Sequence, residues 1–255
     1  MVENRPKIIA VCGKGGVGKT SISALITKVL IEANEHKKIL AIDADPAVGF
    51  ATALGVEVVR TVDDIRNELI ERTSQGNRDD KLSILSQLDY EVFEAMIQKD
   101  RFAFLAIGRP EAEGCYCKVN TYLKKILAEL AGHFDYVVID GEAGIEQVNR
   151  RVMEKVTHLL LVSDSSAKGI NVIKTIHEVA SGGVMDYEQA GVILNRLKET
   201  QEHERVNLGG LHLLGCMLED DMIRNFDIEG RTLLELPEGP SVALIRAALI
   251  KFGVI

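Results

Sequence analysis

The run Gly13-Lys14-Gly15-Gly16-Val17-Gly18-Lys19-Thr20 places two glycines, a lysine and a threonine in the order G-x-x-x-x-G-K-[ST]. That spacing suits phosphate chemistry. The glycines let successive backbone N–H groups point inward at phosphate oxygens, and a helix N-terminus directly after them adds its positive dipole. Lys19 is then expected to bridge the β- and γ-phosphates, and the Thr20 hydroxyl to ligate Mg²⁺. The whole run, with Ser21 next to it, is the expected nucleotide contact.

Two carboxylates have the placement that such a loop needs. Asp45 lies in Asp43-Ala44-Asp45-Pro46, after the apolar run Ile39–Ile42, and Asp140 comes after Tyr136-Val137-Val138-Ile139. Both stand at the carboxyl ends of expected parallel strands, where doubly wound sheets bind their ligands. Asp43 reads equally well as a helix N-cap. Gly141 and Gly144 give the stretch after Asp140 the freedom to sense a γ-phosphate.

Of the four cysteines, Cys12 and Cys216 fall within or at the end of apolar runs and read as packing. Cys115-Tyr116-Cys117 is different. Thiols at i and i+2 are poorly placed to bridge each other, and both fall on one side of an extended segment. A helix expected from about Val119 would lower their pKa, which makes good soft-metal ligands. The six histidines form no ligand cluster; His158, His177 and His212 lie in core-forming segments.

The elements around these residues alternate. Ile8–Cys12 is a short apolar run that fits a buried parallel strand, and Ile22, Leu25, Ile26, Val29 and Leu30 form a helical stripe directly after the glycine loop. Further strands are expected at Leu82–Leu85, Phe102–Ile107, Leu159–Val162, Gly191–Leu194 and Leu211–Cys216. Helical stripes run over Val119–Leu130, Ile170–Ala180 and Val242–Phe252. Right-handed crossovers then give an α/β fold, a single doubly wound and mostly parallel sheet flanked by helices, with residues 1–255 as one domain.

Composition narrows the setting. The chain has 255 residues, 46% of them hydrophobic, and a formal net charge of −8, so nothing basic offsets phosphate repulsion and nucleic acid is not expected as a partner. There is no signal-peptide core and no apolar run of about 18 residues, so a cytoplasmic location is expected and a membrane is not.

Lys14, directly after the first glycine, brings in a resemblance. The loop resembles that of the deviant P-loop ATPases, K-G-G-x-G-K-[ST], which include MinD, ParA, the arsenite-pump ATPase and the nitrogenase iron protein. The resemblance implies a P-loop NTPase fold that binds ATP/ADP, and a homodimer in which Lys14 acts on the partner's phosphates. It also implies catalytic roles for Lys14, Lys19, Asp45 (orienting the attacking water) and Asp140 (holding the Mg²⁺ shell). Asn195-Arg196 resembles the family's adenine-contacting pair, and Lys198 stands where guanine-specific relatives carry an aspartate, which favours ATP. The Met217-Leu218-Glu219-Asp220 stretch lacks the proline that the family often has there.

Cys-x-Cys between the Asp45 and Asp140 segments, together with Asp140-Gly141-Glu142-Ala143-Gly144-Ile145-Glu146, resembles the CooC group of nickel-insertion ATPases. In a two-fold dimer Cys115 and Cys117 would supply four thiolates, which suit Ni²⁺ or Zn²⁺. The implied client is carbon monoxide dehydrogenase or acetyl-CoA synthase. The alternative is a MinD/ParA-type positioning ATPase acting on a membrane or partner protein, for which the apolar last helix, with Arg246 and Lys251, would be the membrane element.

Overall fold

A computed structural model describes residues 5–75, 78–109, 117–141, 145, 148–149 and 152–255. Among these residues one sheet of eight strands runs in the order β3-β4-β2-β5-β1-β6-β7-β8. The strands are β1 (Lys7–Gly13), β2 (Ile39–Asp43), β3 (Ile97–Gln98), β4 (Ala103–Ala106), β5 (Tyr136–Asp140), β6 (His158–Ser163), β7 (Gln189–Leu197) and β8 (Leu213–Leu218). All neighbours pair in parallel except the two-residue edge strand β3, which is antiparallel to β4.

The central strands are apolar throughout because both faces of the sheet are covered. Side chains alternate, so Ile9 and Val11 of β1 join one buried cluster while Ala10 and Cys12 join the other. The first cluster is closed by α1 (Lys19–Ala33) and α8 (Pro240–Lys251), through Ile22, Leu25, Val242 and Ile245. The second is closed by α3 (Val62–Gln75), α4 (Arg78–Ala95), α5 (Cys117–Ala131) and α6 (Ala167–Val179), through Ile65, Leu88, Leu127 and Ile173. Two short helices, α2 (Gly49–Leu54) and α7 (Asp221–Ile228), come after β2 and β8.

Two expectations are corrected here. Leu82–Leu85 is not a strand but part of α4. A four-residue stretch with three apolar residues, Leu82-Ser83-Ile84-Leu85, fits either state, and Leu88, Val92 and Ala95, all buried, continue it at helical spacing. His212 is exposed, just before β8, and is not a core residue. The last helix spends its apolar face on the core, since Val242, Ile245, Ala248 and Leu249 are all buried.

Candidate nucleotide site

The phosphate loop joins β1 to α1 at the carboxyl edge of the sheet. Two of its glycines are fixed by close approach. A Cβ on Gly13 would stand 2.1 Å from the Val162 carbonyl oxygen of the neighbouring strand, a distance no side chain tolerates. Gly18 has φ +90°, and a Cβ there would stand 2.5 Å from Asn195 Nδ2. No side chain caps the N-terminus of α1 and no acidic residue occupies its first turn. By contrast, Ser166 caps α6 and Asp220 caps α7. The first N–H groups of α1 are thus available to an anion.

Lys19 is buried, and its Nζ donates to the Lys14 carbonyl oxygen at 3.2 Å, so the ammonium lies folded over the loop. Thr20 Oγ1 donates to Asp140 Oδ2 at 2.7 Å, and Ser23 Oγ, one helical turn on, donates to Asp140 Oδ1 at 2.8 Å. Both carboxylate oxygens of the strand-end aspartate are therefore tied to α1. Ser23 carries no motif signal, although its i,i+3 spacing from Thr20 puts both hydroxyls on one helix face.

Asp43 is the register partner of Asp140 on the adjacent strand and is fully buried. Its oxygens accept from the backbone N–H groups of Asp45 (3.0 Å) and Phe50 (2.9 Å), the latter in the first turn of α2. It thus serves α2 as a remote cap. Burial, then the charge of Asp140, pushes its pKa up to about 7. Burial also raises Asp140, to about 6, against the hydrogen bonds of Thr20 and Ser23 and the charge of Lys19. Two buried carboxylates side by side are short of positive charge. A divalent cation beside the Thr20 hydroxyl would supply it, and Mg²⁺ bound mainly through nucleotide phosphates asks few ligands of the protein. Asp45 is half-buried, with Oδ1 accepting from Ala47 N–H at 2.9 Å in an Asx turn.

Lys14 is found within its own subunit, with Nζ 3.3 Å from Asp164 Oδ2. Asp164 comes directly after β6, and its other oxygen accepts from Ser166 N–H and Oγ. Burial opposes its ionisation, but the hydrogen bonds of Ser166 and Lys14 prevail and hold its pKa below the ordinary carboxylate value. Motif reasoning misses Asp164, although it too stands at a parallel strand end.

Asn195 and Arg196 end β7 beside the loop, where buried Asn195 donates from Nδ2 to the Val17 carbonyl at 2.8 Å. Arg196 is exposed, with φ +57°. With Gly18, Ser21, Met217 and Asp220 they line a cavity of about 520 Å³ next to the loop, large enough for a purine base. Asp220 is committed to capping α7, so the Met217–Asp220 stretch shapes this cavity without a proline.

Cys115 lies outside the described residues, as do Glu142, Ala143, Gly144 and Glu146; of Cys117 only its place at the head of α5 is described. Among the described residues no three His, Cys, Asp or Glu side chains form a metal-holding group. Cys12 is fully buried, and burial pushes its thiol up to about 12, as a packing residue requires. Cys216 is half-buried at the core's edge. Among the described residues no helix is long and apolar enough to cross a membrane.

Comparison with known proteins agrees with this geometry. The chain is 37% identical over 241 residues to an uncharacterized ATP-binding protein of Methanocaldococcus jannaschii, covering 92% of this chain and 93% of that one. It is 29% identical over 181 residues to the carbon monoxide dehydrogenase accessory protein CooC of Rhodospirillum rubrum, covering 68% of each. Its fold is similar to that of the septum site-determining protein MinD from Pyrococcus horikoshii, solved with Mg-ADP, with a TM-score of 0.67, 20% identity and 96% of both chains covered. Residues 6–182 match the AAA domain family. The chain belongs to that family and is an ATP-binding P-loop ATPase with a MinD/ParA-like fold.

Proposed function

We propose that this ATPase is a metal chaperone that dimerises with nucleotide and delivers nickel to carbon monoxide dehydrogenase or acetyl-CoA synthase. The observation that carries the reading is the sequence Cys115-Tyr116-Cys117, whose last residue heads α5, in a chain similar over two thirds of its length to an accessory protein of carbon monoxide dehydrogenase. The metal is cargo. Two copies related by a two-fold axis bring four thiolates together, a donor set for Ni²⁺ or Zn²⁺.

The fold supports a link between the thiols and the nucleotide. The connection that contains them leaves β4, which pairs with β2, and Ile107 N–H donates to the Asp43 carbonyl at 2.8 Å. The cysteine-bearing segment therefore starts one strand from the buried carboxylates that respond to Mg-nucleotide. In the hydrolysing dimer Lys14 leaves Asp164 and reaches the partner's phosphates, Lys19 holds the β- and γ-phosphates, Thr20 and Asp140 hold the Mg²⁺ shell, and Asp45 orients the attacking water. Asn195 and Arg196 face the base.

Metal content measured by mass spectrometry alongside sedimentation tests this. One Ni²⁺ or Zn²⁺ per dimer is expected, and it is lost in the Cys115→Ser/Cys117→Ser protein. Unchanged metal content in that variant overturns the chaperone reading. The membrane-acting alternative would show as ATP-dependent flotation with liposomes, which the buried apolar face of α8 argues against.

A further inference from the structure

Lys14 meets the loop after β6 through Asp164, and a single carboxylate ties that loop to the one after β7. β6 ends in the loop that contains Asp164, Ser165 and Ser166, and β7 runs on through Lys198 into a 3₁₀ turn, Thr200–Arg205. From that turn Glu202 reaches back. Its Oε1 accepts from the backbone N–H groups of Lys198 (2.8 Å) and Glu199 (3.2 Å), and its Oε2 accepts from Ser165 Oγ (2.5 Å). A reciprocal capping box with Glu199 fixes the turn that carries it.

These bonds close a circuit. Val17 of the phosphate loop is held by Asn195 at the end of β7; three residues on, Lys198 is held by Glu202; Glu202 holds Ser165; and Asp164, next to Ser165, holds Lys14 back on the phosphate loop. Ser165 hydroxyl and Lys198 N–H both favour the charged form of Glu202, whose pKa lies below the ordinary carboxylate value.

We infer that Glu202 is a positioning residue for Lys14: by anchoring Ser165 it holds Asp164 where it keeps the Lys14 ammonium in its own subunit. The inference rests on the reading of Lys14 as a residue that acts across the dimer. One ammonium cannot stay on Asp164 and also reach a neighbour's phosphates, so the intrasubunit pair opposes dimer formation. How strongly it does so depends on how firmly Asp164 is held. Without Glu202 the β6 loop loses the tie that runs through Ser165 to the β7 loop, and Lys14 is released at lower cost.

The test is ATP-dependent dimerisation of the full chain, measured by sedimentation with Mg-ATP, for Glu202→Ala, Ser165→Ala and the double variant, with Glu202→Gln and Lys14→Ala as controls. Glu202→Ala and Ser165→Ala should each tighten dimerisation about two- to fivefold, the range a half-exposed ion pair allows. The double variant should go no further than Glu202→Ala, because the bond from the Ser165 hydroxyl to Glu202 is already gone in that variant. Glu202→Gln, which keeps a carbonyl for the backbone N–H groups and an amide for Ser165, should restore the wild-type value. Ser165→Ala tests the same contact from the other side should Glu202→Ala fold poorly. Additive effects, or wild-type dimerisation in both single variants while Lys14→Ala dimerises poorly, overturn the inference and leave the reading of Lys14 standing. Wild-type dimerisation and turnover in Lys14→Ala overturn both.

Discussion

Replacing Asp43 by Asn should remove a pH dependence that the nucleotide-free protein carries in its stability. Asp43 is fully buried beside Asp140, and its pKa rises from 3.8 to about 7 in the fold. Between those values the folded chain keeps a proton that the unfolded chain has released. Stability therefore falls as pH rises through this window. One proton is worth about 1.4 kcal/mol per pH unit, so from pH 5 to pH 7 Asp43 lowers stability by roughly 2–3 kcal/mol. For a chain of this size that is on the order of 5–10 °C in melting temperature. Asp140, raised to about 6, acts in the same direction over the lower part of the range. His158, whose pKa burial lowers, acts in the opposite direction: its contribution is present above its unfolded pKa and is lost as pH falls through the folded one. Comparing urea denaturation of the wild type with that of Asp43→Asn at each pH cancels His158, which both chains share. The wild type should lose ground to the variant by about 1.4 kcal/mol per pH unit up to about pH 7, and saturating Mg-ADP should flatten the difference, since a cation beside Asp43 favours its ionised form. Parallel curves for the two proteins without nucleotide would refute the reasoning.

Gly13→Ala should abolish nucleotide binding or prevent folding, because its Cβ would collide with the Val162 carbonyl; titration with a fluorescent ATP analogue and circular dichroism check this. Ser23→Ala removes a buried hydroxyl from the Asp140 carboxylate and should cost about 1.5–3 kcal/mol, read as a lower denaturation midpoint together with weaker Mg²⁺ dependence of turnover. Lys14→Ala should leave nucleotide binding measurable while removing hydrolysis and ATP-driven dimerisation; unchanged turnover would sink the role across the dimer. Asn195→Ala opens the contact with the Val17 carbonyl and should raise the KM for ATP more than it lowers kcat.

Much of this site is legible in the sequence because it is built on strand ends. β1, β2, β5 and β6 are buried on both faces, so each shows as an apolar run, and the polar residues that end or follow the run stand at the carboxyl edge of the sheet. That rule finds Asp43 and Asp140. Applied to Leu159–Val162 it would also have found Asp164 two residues on. Ser23 escapes because a serine inside a helix carries no pattern of its own; only its distance from Thr20 places it. Glu202 escapes for another reason: its partner Ser165 is 37 residues away, and no local spacing encodes that meeting. β3, with two residues, is too short to alternate, and in α4 the short stretch Leu82-Ser83-Ile84-Leu85 follows four charged residues and by itself fits strand or helix.

The bare start of α1 has a thermodynamic consequence. Where Ser166 and Asp220 finish their helices permanently, α1 is finished only when an anion takes the free N–H groups of its first turn. The triphosphate is then a removable piece of secondary structure. Its arrival and departure change the local unfolding equilibrium of Lys19, Thr20 and Ser23, and so of the Asp140 strand end that those hydroxyls grip. Occupancy of the site thus reaches the sheet through the stability of the first turn of α1, whose Thr20 and Ser23 hydroxyls hold Asp140.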